Sequence, residues 1–185
     1  MTQSIWLKDT IPFSAPTLKE SLHCDICIVG GGLSGIYSAY LLAKAGFNVV
    51  LLEANAHIAH GTTAYSTGKL TVQHELIYQK LSTEQGKIYY AANQNAIEHA
   101  LTLNDSSYQQ ATSYLYSETE QGKERLLQEA KHYEKIGIPF SATNETELPN
   151  SITLALAIEN EGQINPIKFT TKFAELAKNM GARLF

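Results

Sequence analysis

Long apolar runs are absent from this sequence of 185 residues. No stretch reaches the roughly 18 consecutive apolar residues that a membrane-spanning helix needs, so we expect no membrane span. The first residues, MTQSIWLKDT, contain no apolar run before Lys8 and Asp9, which argues against a secretory signal peptide. These absences favour a cytoplasmic protein.

An excess of basic residues is also lacking. The chain has 14 Lys and Arg against 18 Asp and Glu, which gives a formal net charge of −4 at pH 7. Proteins that bind nucleic acid or an anionic membrane surface usually carry a positively charged patch, so we expect neither partner. The composition, 44% hydrophobic and 17% charged, is typical of a soluble globular protein whose length allows a good core.

Cysteine is scarce, and the two that occur form a C-x-x-C pair at Cys24 and Cys27. A redox motif of this kind places its first thiol at a helix N-terminus, and a zinc site would need a second pair. Here the pair enters a predicted strand, where residues three apart point to opposite faces. We therefore expect neither thiol chemistry nor a metal site.

Glycine, in contrast, is concentrated in the stretch from Asp25 to Glu53. It predicts a buried strand, a glycine turn, a helix and a second strand. Gly30, Gly32 and Gly35 occupy the glycine positions of G-x-G-x-x-G. In such a motif the first glycine makes the tight turn, the second lets the backbone approach a pyrophosphate, and the third lets the helix pack close to the strand.

The start of the helix and Glu53 indicate which ligand this motif binds. A helix beginning near Leu33, with Gly31 and Ser34 beside it, points its N–H groups at phosphates. Glu53 follows Gly35 by 18 residues, where a carboxylate accepts hydrogen bonds from ribose and repels a 2′-phosphate. The pattern favours FAD or NAD and argues against NADP.

A long segment, residues 54–71, follows the second strand and is rich in Thr, Ser, Ala, Gly and His. Loops of this length are uncommon in compact domains unless they have a function. We expect it to bind the cofactor, with its hydroxyl groups on phosphate or ribityl oxygens. The expected contact residues are Ala54, Gly61, Thr62, Thr63, Ser66 and Thr67. His57 and His60 are more typical of solvated loop residues than of catalytic ones.

Periodicity predicts the remaining elements. We expect helices over 72–81, 84–110, 119–136 and from Pro166 to Gly181. Strands are predicted over 113–117, over 152–158 and from Ala182 onward, with a turn and short extended piece over 160–166.

At this point the residues resemble a known family. The pattern from Gly30 to Glu53, including Ala39 and Gly46 at their expected intervals, is similar to FAD-dependent oxidoreductases of the D-amino-acid oxidase and glycine oxidase type. The run His60-Gly61-Thr62-Thr63 resembles the segment that these proteins place against the flavin. The run from Gly162 to Pro166 resembles their return to the FAD domain. The stretch from Gly61 to Tyr78 resembles a bacterial subgroup with a C-terminal Rieske domain.

The resemblance implies an α/β fold, in which a Rossmann-like FAD-binding βαβ unit is joined to the start of an interleaved mixed-sheet substrate domain. It implies oxidation of a C–N bond in an amine or amino acid by hydride transfer to flavin. The glycine motif and Glu53 then serve the ADP half of FAD, and Thr62 and Thr63 the flavin side. No catalytic residue is assigned.

The corresponding domain boundaries are a lead-in over 1–22, an FAD domain over 23–110, a substrate domain over 111–165 and a return to the FAD domain over 166–185. Enzymes of this type run to about twice this length. We therefore expect an N-terminal portion of a longer flavoenzyme, either a truncated gene product or a recombinant fragment. The alternatives are an NAD-dependent dehydrogenase or a catalytically inert nucleotide-binding fragment. Substrate, electron acceptor and oligomeric state are not assigned.

Overall fold

The protein is described by a computed structural model that covers residues 4–8, 10–11, 13–102 and 107–185. The chain forms two compact units, one of residues 1–68 with 164–185 and one of residues 69–163. The predicted α/β fold class is confirmed, since one unit has a parallel sheet and the other contains antiparallel pairs. In the covered residues no helix has the length and apolar character to cross a membrane.

Four helices and seven strands follow one another with three short 3-10 helices between them, within the described ranges. In chain order they are 3-10 helix Ile5–Leu7, β1 (Ile26–Val29), α1 (Leu33–Lys44), β2 (Val49–Leu52), 3-10 helix Thr62–Tyr65, β3 (Lys69–Leu70), 3-10 helix Tyr78–Lys80, α2 (Thr83–Thr102), β4 (Tyr108–Ser117), α3 (Glu120–Ile136), β5 (Ser141–Thr143), β6 (Leu154–Ile164), α4 (Pro166–Asn179) and β7 (Arg183–Leu184).

The first unit is built on a parallel sheet in the order β1-β2-β7. Helices α1 and α4 pack on each other, and the ring of Phe173 meets that of Tyr37 edge-on with centroids 4.8 Å apart. Helix α4 begins as predicted, with Pro166 as its first residue and Asn165 accepting hydrogen bonds from Ile167 and Lys168 N–H. The predicted strand after Gly181 is present as β7.

The second unit packs α2 and α3 with a sheet in the order β3-β6-β4, and β5 pairs with β6. Helix α3 confirms its prediction. Thr119 caps it by accepting from Gly122 N–H, and Gly137 ends it with φ of 88°. The fully and nearly buried core residues of this unit are Val72, Tyr78, Ile97, Leu126, Ala130, Tyr133, Ile138, Leu156 and Ile158.

The helix predicted over 72–81 is wrong. Glu75 has a φ of 52°, outside the right-handed helical region, and only Tyr78–Lys80 forms a 3-10 turn. The buried carboxylate of Glu129 on α3 accepts hydrogen bonds from the N–H groups of Tyr78 and Gln79. This segment is therefore a loop held by a partner about 50 residues away, which its own periodicity does not show.

Three other boundaries differ from the predictions. The helix predicted over 84–110 ends at Thr102, residues 103–106 lie outside the described ranges, and 108–110 belong to β4. Strand β4 contains the strand predicted over 113–117 but is longer. The strand predicted over 152–158 continues as β6 to Ile164. The turn predicted over 160–166 is therefore wrong, whereas the short extended piece predicted there is part of β6.

Asn160 and Gly162 both lie within β6. Asn160 adopts φ of 60°, a conformation that Asn tolerates better than most residues. A Cβ at Gly162 would lie 2.6 Å from the carbonyl oxygen of Gln109, so glycine permits the close approach of β4.

The chain passes from the first unit to the second after residue 68 and returns to the first after residue 163, so neither boundary lies at residue 110. Gly68 O accepts a hydrogen bond of 2.7 Å from Ile164 N, and Lys69 pairs with Gln163 at the start of the second unit. Residues 69–110 lie in the second unit, which differs from the predicted boundary after residue 110. The reason is that Val72 and Ile97 bury their side chains in the second core.

Candidate cofactor site

The glycine turn joins β1 to α1 at the carboxyl end of the parallel sheet. Gly30 has φ of 108°, and its N–H donates to Leu52 O at 2.8 Å. A Cβ at Gly35 would lie 2.0 Å from Gly30 O, so the first turn of α1 sits directly on the backbone of the turn. Only glycine fits these two positions without strain or clash.

Glu53 at the end of β2 ties the turn to the sheet. Its Oε2 accepts from Gly31 N at 2.6 Å, and its Oε1 accepts from Asn55 N at 2.8 Å and from Asn55 Nδ2 at 2.6 Å. Burial acts to raise the pKa of Glu53, but the hydrogen bonds from Asn55 and Gly31 outweigh it and the pKa is lowered. The carboxylate therefore stays ionised at neutral pH.

The N-terminus of α1 receives its cap from the loop after β2. Gly32 is the N-cap residue and offers no side-chain acceptor. The hydroxyl oxygen of Thr63 accepts from Leu33 N at 3.0 Å instead. Ser34 and Gly35 N–H are the next donors of the first turn, which by its geometry has no intrahelical acceptor for them. These donors and the positive end of the helix suit an anion.

The same loop lies close against the turn. Ala59 N donates to Gly31 O at 2.9 Å, and Ala59 adopts φ of 61° to do so. A Cβ at Gly31 would meet Ile58 Cγ2 at 2.9 Å, and one at Gly32 would meet Thr63 Oγ1 at 3.3 Å. Residues 58–63 and the glycine turn thus form one packed surface.

Together these elements enclose a cleft of about 510 Å³. Ten of the thirteen predicted cofactor residues line it, namely Gly30, Gly32, Leu33, Ser34, Gly35, Glu53, Gly61, Thr62, Thr63 and Ser66. Gly31, Ala54 and Thr67 are not among its lining residues. Gly31 acts through its N–H on Glu53, and Ala54 faces a second cleft of about 420 Å³, which shares Glu53 and Asn55 with the first.

Sequence reasoning missed three residues that line the first cleft, which are Val29, Asn55 and Ala59. Asn55 could have been predicted from its position, since it follows Glu53 by two residues. Nothing in the sequence pointed to Ala59. His57 and His60 do not line either cleft, and their rings pack at 4.8 Å between centroids. Burial, together with His57, lowers the pKa of His60.

Replacing Thr63 by valine is expected to weaken binding of FAD and of ADP about fivefold, because a lost helix cap costs about 1 kcal/mol. Thr63→Ser keeps the hydroxyl that accepts from Leu33 N–H and should bind as the wild type does. Titrations followed by flavin fluorescence, and by calorimetry for ADP, check this. Equal losses in both variants would contradict a role for the hydroxyl.

The cleft fits a dinucleotide that has a pyrophosphate and a ribose with free hydroxyls. Gly32 lines this cleft, where a Cβ would lie 3.3 Å from Thr63 Oγ1, the donors of α1 face it, and Glu53 is ionised beside it. The geometry does not indicate a metal site, since the described ranges contain no group of three or more His, Cys, Asp or Glu residues that could hold an ion.

Comparison with known proteins agrees with this geometry. A family model described as FAD dependent oxidoreductase (DAO) matches residues 25–185. A Bacillus subtilis protein that bears the name Rieske 2Fe-2S iron-sulfur protein YhfW is 34% identical over 99% of this chain, which spans 38% of that protein. Human mitochondrial dimethylglycine dehydrogenase is 28% identical over 94% of this chain and 20% of its own length.

Among solved structures, glycine oxidase from Geobacillus kaustophilus superposes with a TM-score of 0.72 at 23% identity. The match covers 88% of this chain and 46% of the glycine oxidase chain, so this likeness supports the fold. The chain therefore spans less than half the length of each of these three proteins. By the family match over most of its length, the chain belongs to the DAO family of FAD-dependent oxidoreductases.

Proposed function

We propose that the protein oxidises a C–N bond of an amine or amino acid with FAD as hydride acceptor, and that this chain is the N-terminal portion of the enzyme. The observation that carries the proposal is the cleft of about 510 Å³, which is lined by the glycine turn, the start of α1 and Glu53. When bound, FAD supplies an isoalloxazine ring that accepts the hydride. The chain's own part is to hold and orient that cofactor.

The proposed contacts divide by chemistry. The N–H groups of Ser34 and Gly35 and the hydroxyl of Thr63 would hold the pyrophosphate, since all three line the cleft at the positive end of α1. Glu53 would accept from ribose hydroxyls. Thr62 and Ser66, further along the same loop, would serve the flavin side.

The substrate class rests on the relatives. The human relative is named for dimethylglycine and the superposed structure for glycine, and both are compounds with a C–N bond. The extent of the matches, less than half of each protein's length, supports the proposal that the substrate is held largely by residues outside this chain. We accordingly propose no general base here. An NAD-dependent dehydrogenase is disfavoured by the family match.

Nucleotide titration tests the cofactor assignment. We expect the purified chain to bind FAD and ADP more tightly than NADP, because Glu53 repels a 2′-phosphate. Glu53→Gln should weaken ADP binding about tenfold, as a hydrogen bond to a charged group is worth about 1.5 kcal/mol or more. The matched control is Glu175→Gln, an exposed glutamate on α4. Preference for NAD over FAD would contradict the proposal.

A second measurement tests the extent of the enzyme. The isolated chain is expected to bind FAD without oxidising glycine, dimethylglycine or other amines, which can be followed as anaerobic bleaching of the flavin absorbance. A chain that purifies yellow with stoichiometric FAD and is bleached by an amine would support the reaction and contradict the proposal that this chain is only a portion.

A further inference from the structure

A segment that precedes the family match is attached to the cofactor loop. The match begins at residue 25, yet the described residues between 4 and 14 contact the loop of residues 57–68. We call this segment the N-terminal strap. From the sequence alone it was a lead-in without an assigned role.

The first attachment is at the far end of the loop. The hydroxyl of Ser4 donates to Ala64 O, and the indole Nε1 of Trp6 donates to Ser66 O at 2.9 Å. The strap itself is ordered by a 3-10 turn, Ile5–Leu7, which Ser4 caps by accepting from Trp6 N–H at 3.2 Å. Ala64 lies in the 3-10 turn Thr62–Tyr65, and Ser66 directly follows it. The same turn carries the hydroxyls of Thr62 and Thr63 that line the cleft.

Apolar packing reinforces this attachment. Trp6 and Leu7 pack on a small cluster of Ala59, Ala64 and Ile167, which are 2%, 0% and 1% exposed. Ile167 lies in the first turn of α4, so the strap is fixed both to the loop and to a main helix of the unit. Burying this apolar surface favours one position of the loop.

The second attachment is at the near end of the loop. Phe13 O accepts from Ile58 N at 3.4 Å, and Ser14 Oγ lies 2.9 Å from His57 Nδ1 in a hydrogen bond. The ring of Phe13 is in turn covered by Lys178 Nζ of α4 at 5.5 Å from its centroid. The strap therefore holds the loop at His57 and Ile58, before its cofactor-facing residues, and at Ala64 and Ser66, at their far end.

We infer that the N-terminal strap is a positioning element for the flavin-side loop, and that Trp6 is its main positioning residue. The inference rests on the proposed function. A loop held in its binding conformation has less conformational entropy to lose when the ligand binds, which raises affinity. Trp6 donates its hydrogen bond to Ser66, on the proposed flavin side of the loop, and not to the glycine turn. We therefore expect Trp6 to raise the affinity for FAD more than the affinity for ADP.

The test uses the full chain and three variants. Trp6→Phe keeps an aromatic ring and removes the donor to Ser66 O, and Trp6→Ala removes both. Ile5→Ala is the matched control, because Ile5 is the neighbouring residue and is 74% exposed. We expect the Kd for FAD to rise about fivefold in Trp6→Phe and about tenfold or more in Trp6→Ala, while the Kd for ADP changes less than twofold.

Hydrogen–deuterium exchange of the chain without nucleotide gives an independent readout. Exchange at residues 62–68 should be faster in both Trp6 variants and unchanged in Ile5→Ala. Equal losses of FAD and ADP affinity, or wild-type affinity with unchanged exchange, would overturn the inference. If the wild-type chain failed to bind FAD, the proposed function would fail, whereas unchanged exchange in Trp6→Phe would refute the strap itself.

Discussion

Gly35→Ala is expected to abolish FAD binding and to lower the free energy of unfolding of the first unit by about 3 kcal/mol or more. The added Cβ would lie 2.0 Å from Gly30 O and 3.2 Å from Gly30 C, which are backbone atoms and not the end of a flexible side chain. Gly30 cannot retreat easily, because its N–H is bonded to Leu52 O at 2.8 Å. The variant must open the turn or displace α1.

Chemical denaturation and FAD titration measure the two effects. Ser38→Ala is the matched control, since Ser38 is exposed on the same helix and alanine favours helix formation. We expect the control to unfold and to bind as the wild type does. Retention of FAD affinity within twofold in Gly35→Ala would show that the turn tolerates a side chain.

Glu129→Ala is expected to destabilise the second unit by about 3 kcal/mol. Glu129 is fully buried, and its two oxygens accept from Tyr78 N at 3.0 Å and from Gln79 N at 3.1 Å. The variant leaves both donors without this partner and opens a cavity beside Tyr78 and Tyr133. Glu124→Ala, at an exposed position on α3, is the control and should be nearly neutral. Unfolding by urea measures both variants.

The pH dependence gives a second, independent check on Glu129. Burial raises its pKa, and the hydrogen bonds from Tyr78 and Gln79 offset this only in part. A carboxyl group whose pKa is raised by folding contributes most stability below its unfolded pKa and loses that contribution as pH rises through the folded pKa. The stability advantage of the wild type over Glu129→Gln should thus be larger at pH 4 than at pH 7. An advantage that grew with pH would contradict the raised pKa.

The parts of the fold that sequence reasoning predicted correctly are encoded locally. The glycine spacing from Gly30 to Gly35 and the cap and stop of α3 each depend on a few neighbouring residues. The helix predicted over 72–81 is wrong because the structure of this segment depends on a distant residue. Its apolar residues have a helical spacing, but its N–H groups are satisfied by Glu129 from a distant helix, so tertiary contacts override the pattern.

The candidate site divides in the same way. Its glycines, Glu53 and the Thr and Ser hydroxyls were predicted from composition and position, and most of them line the cleft. The partners that hold them were not predictable. Thr63 was expected to donate to a phosphate or ribityl oxygen, and its oxygen also accepts from Leu33 N–H. The contact of Trp6 with Ser66 spans 60 residues and has no signature in either segment.

The hydrogen bond between Gly68 and Ile164 has a consequence for how this protein can vary. It places the two chain ends of the second unit side by side, so that residues 69–163 are an insert in an otherwise continuous frame. An insert with adjacent ends can be lengthened, shortened or exchanged without changing the topology of its host. We therefore expect changes confined to residues 69–163 to leave the nucleotide cleft in place, since none of its lining residues belongs to the insert.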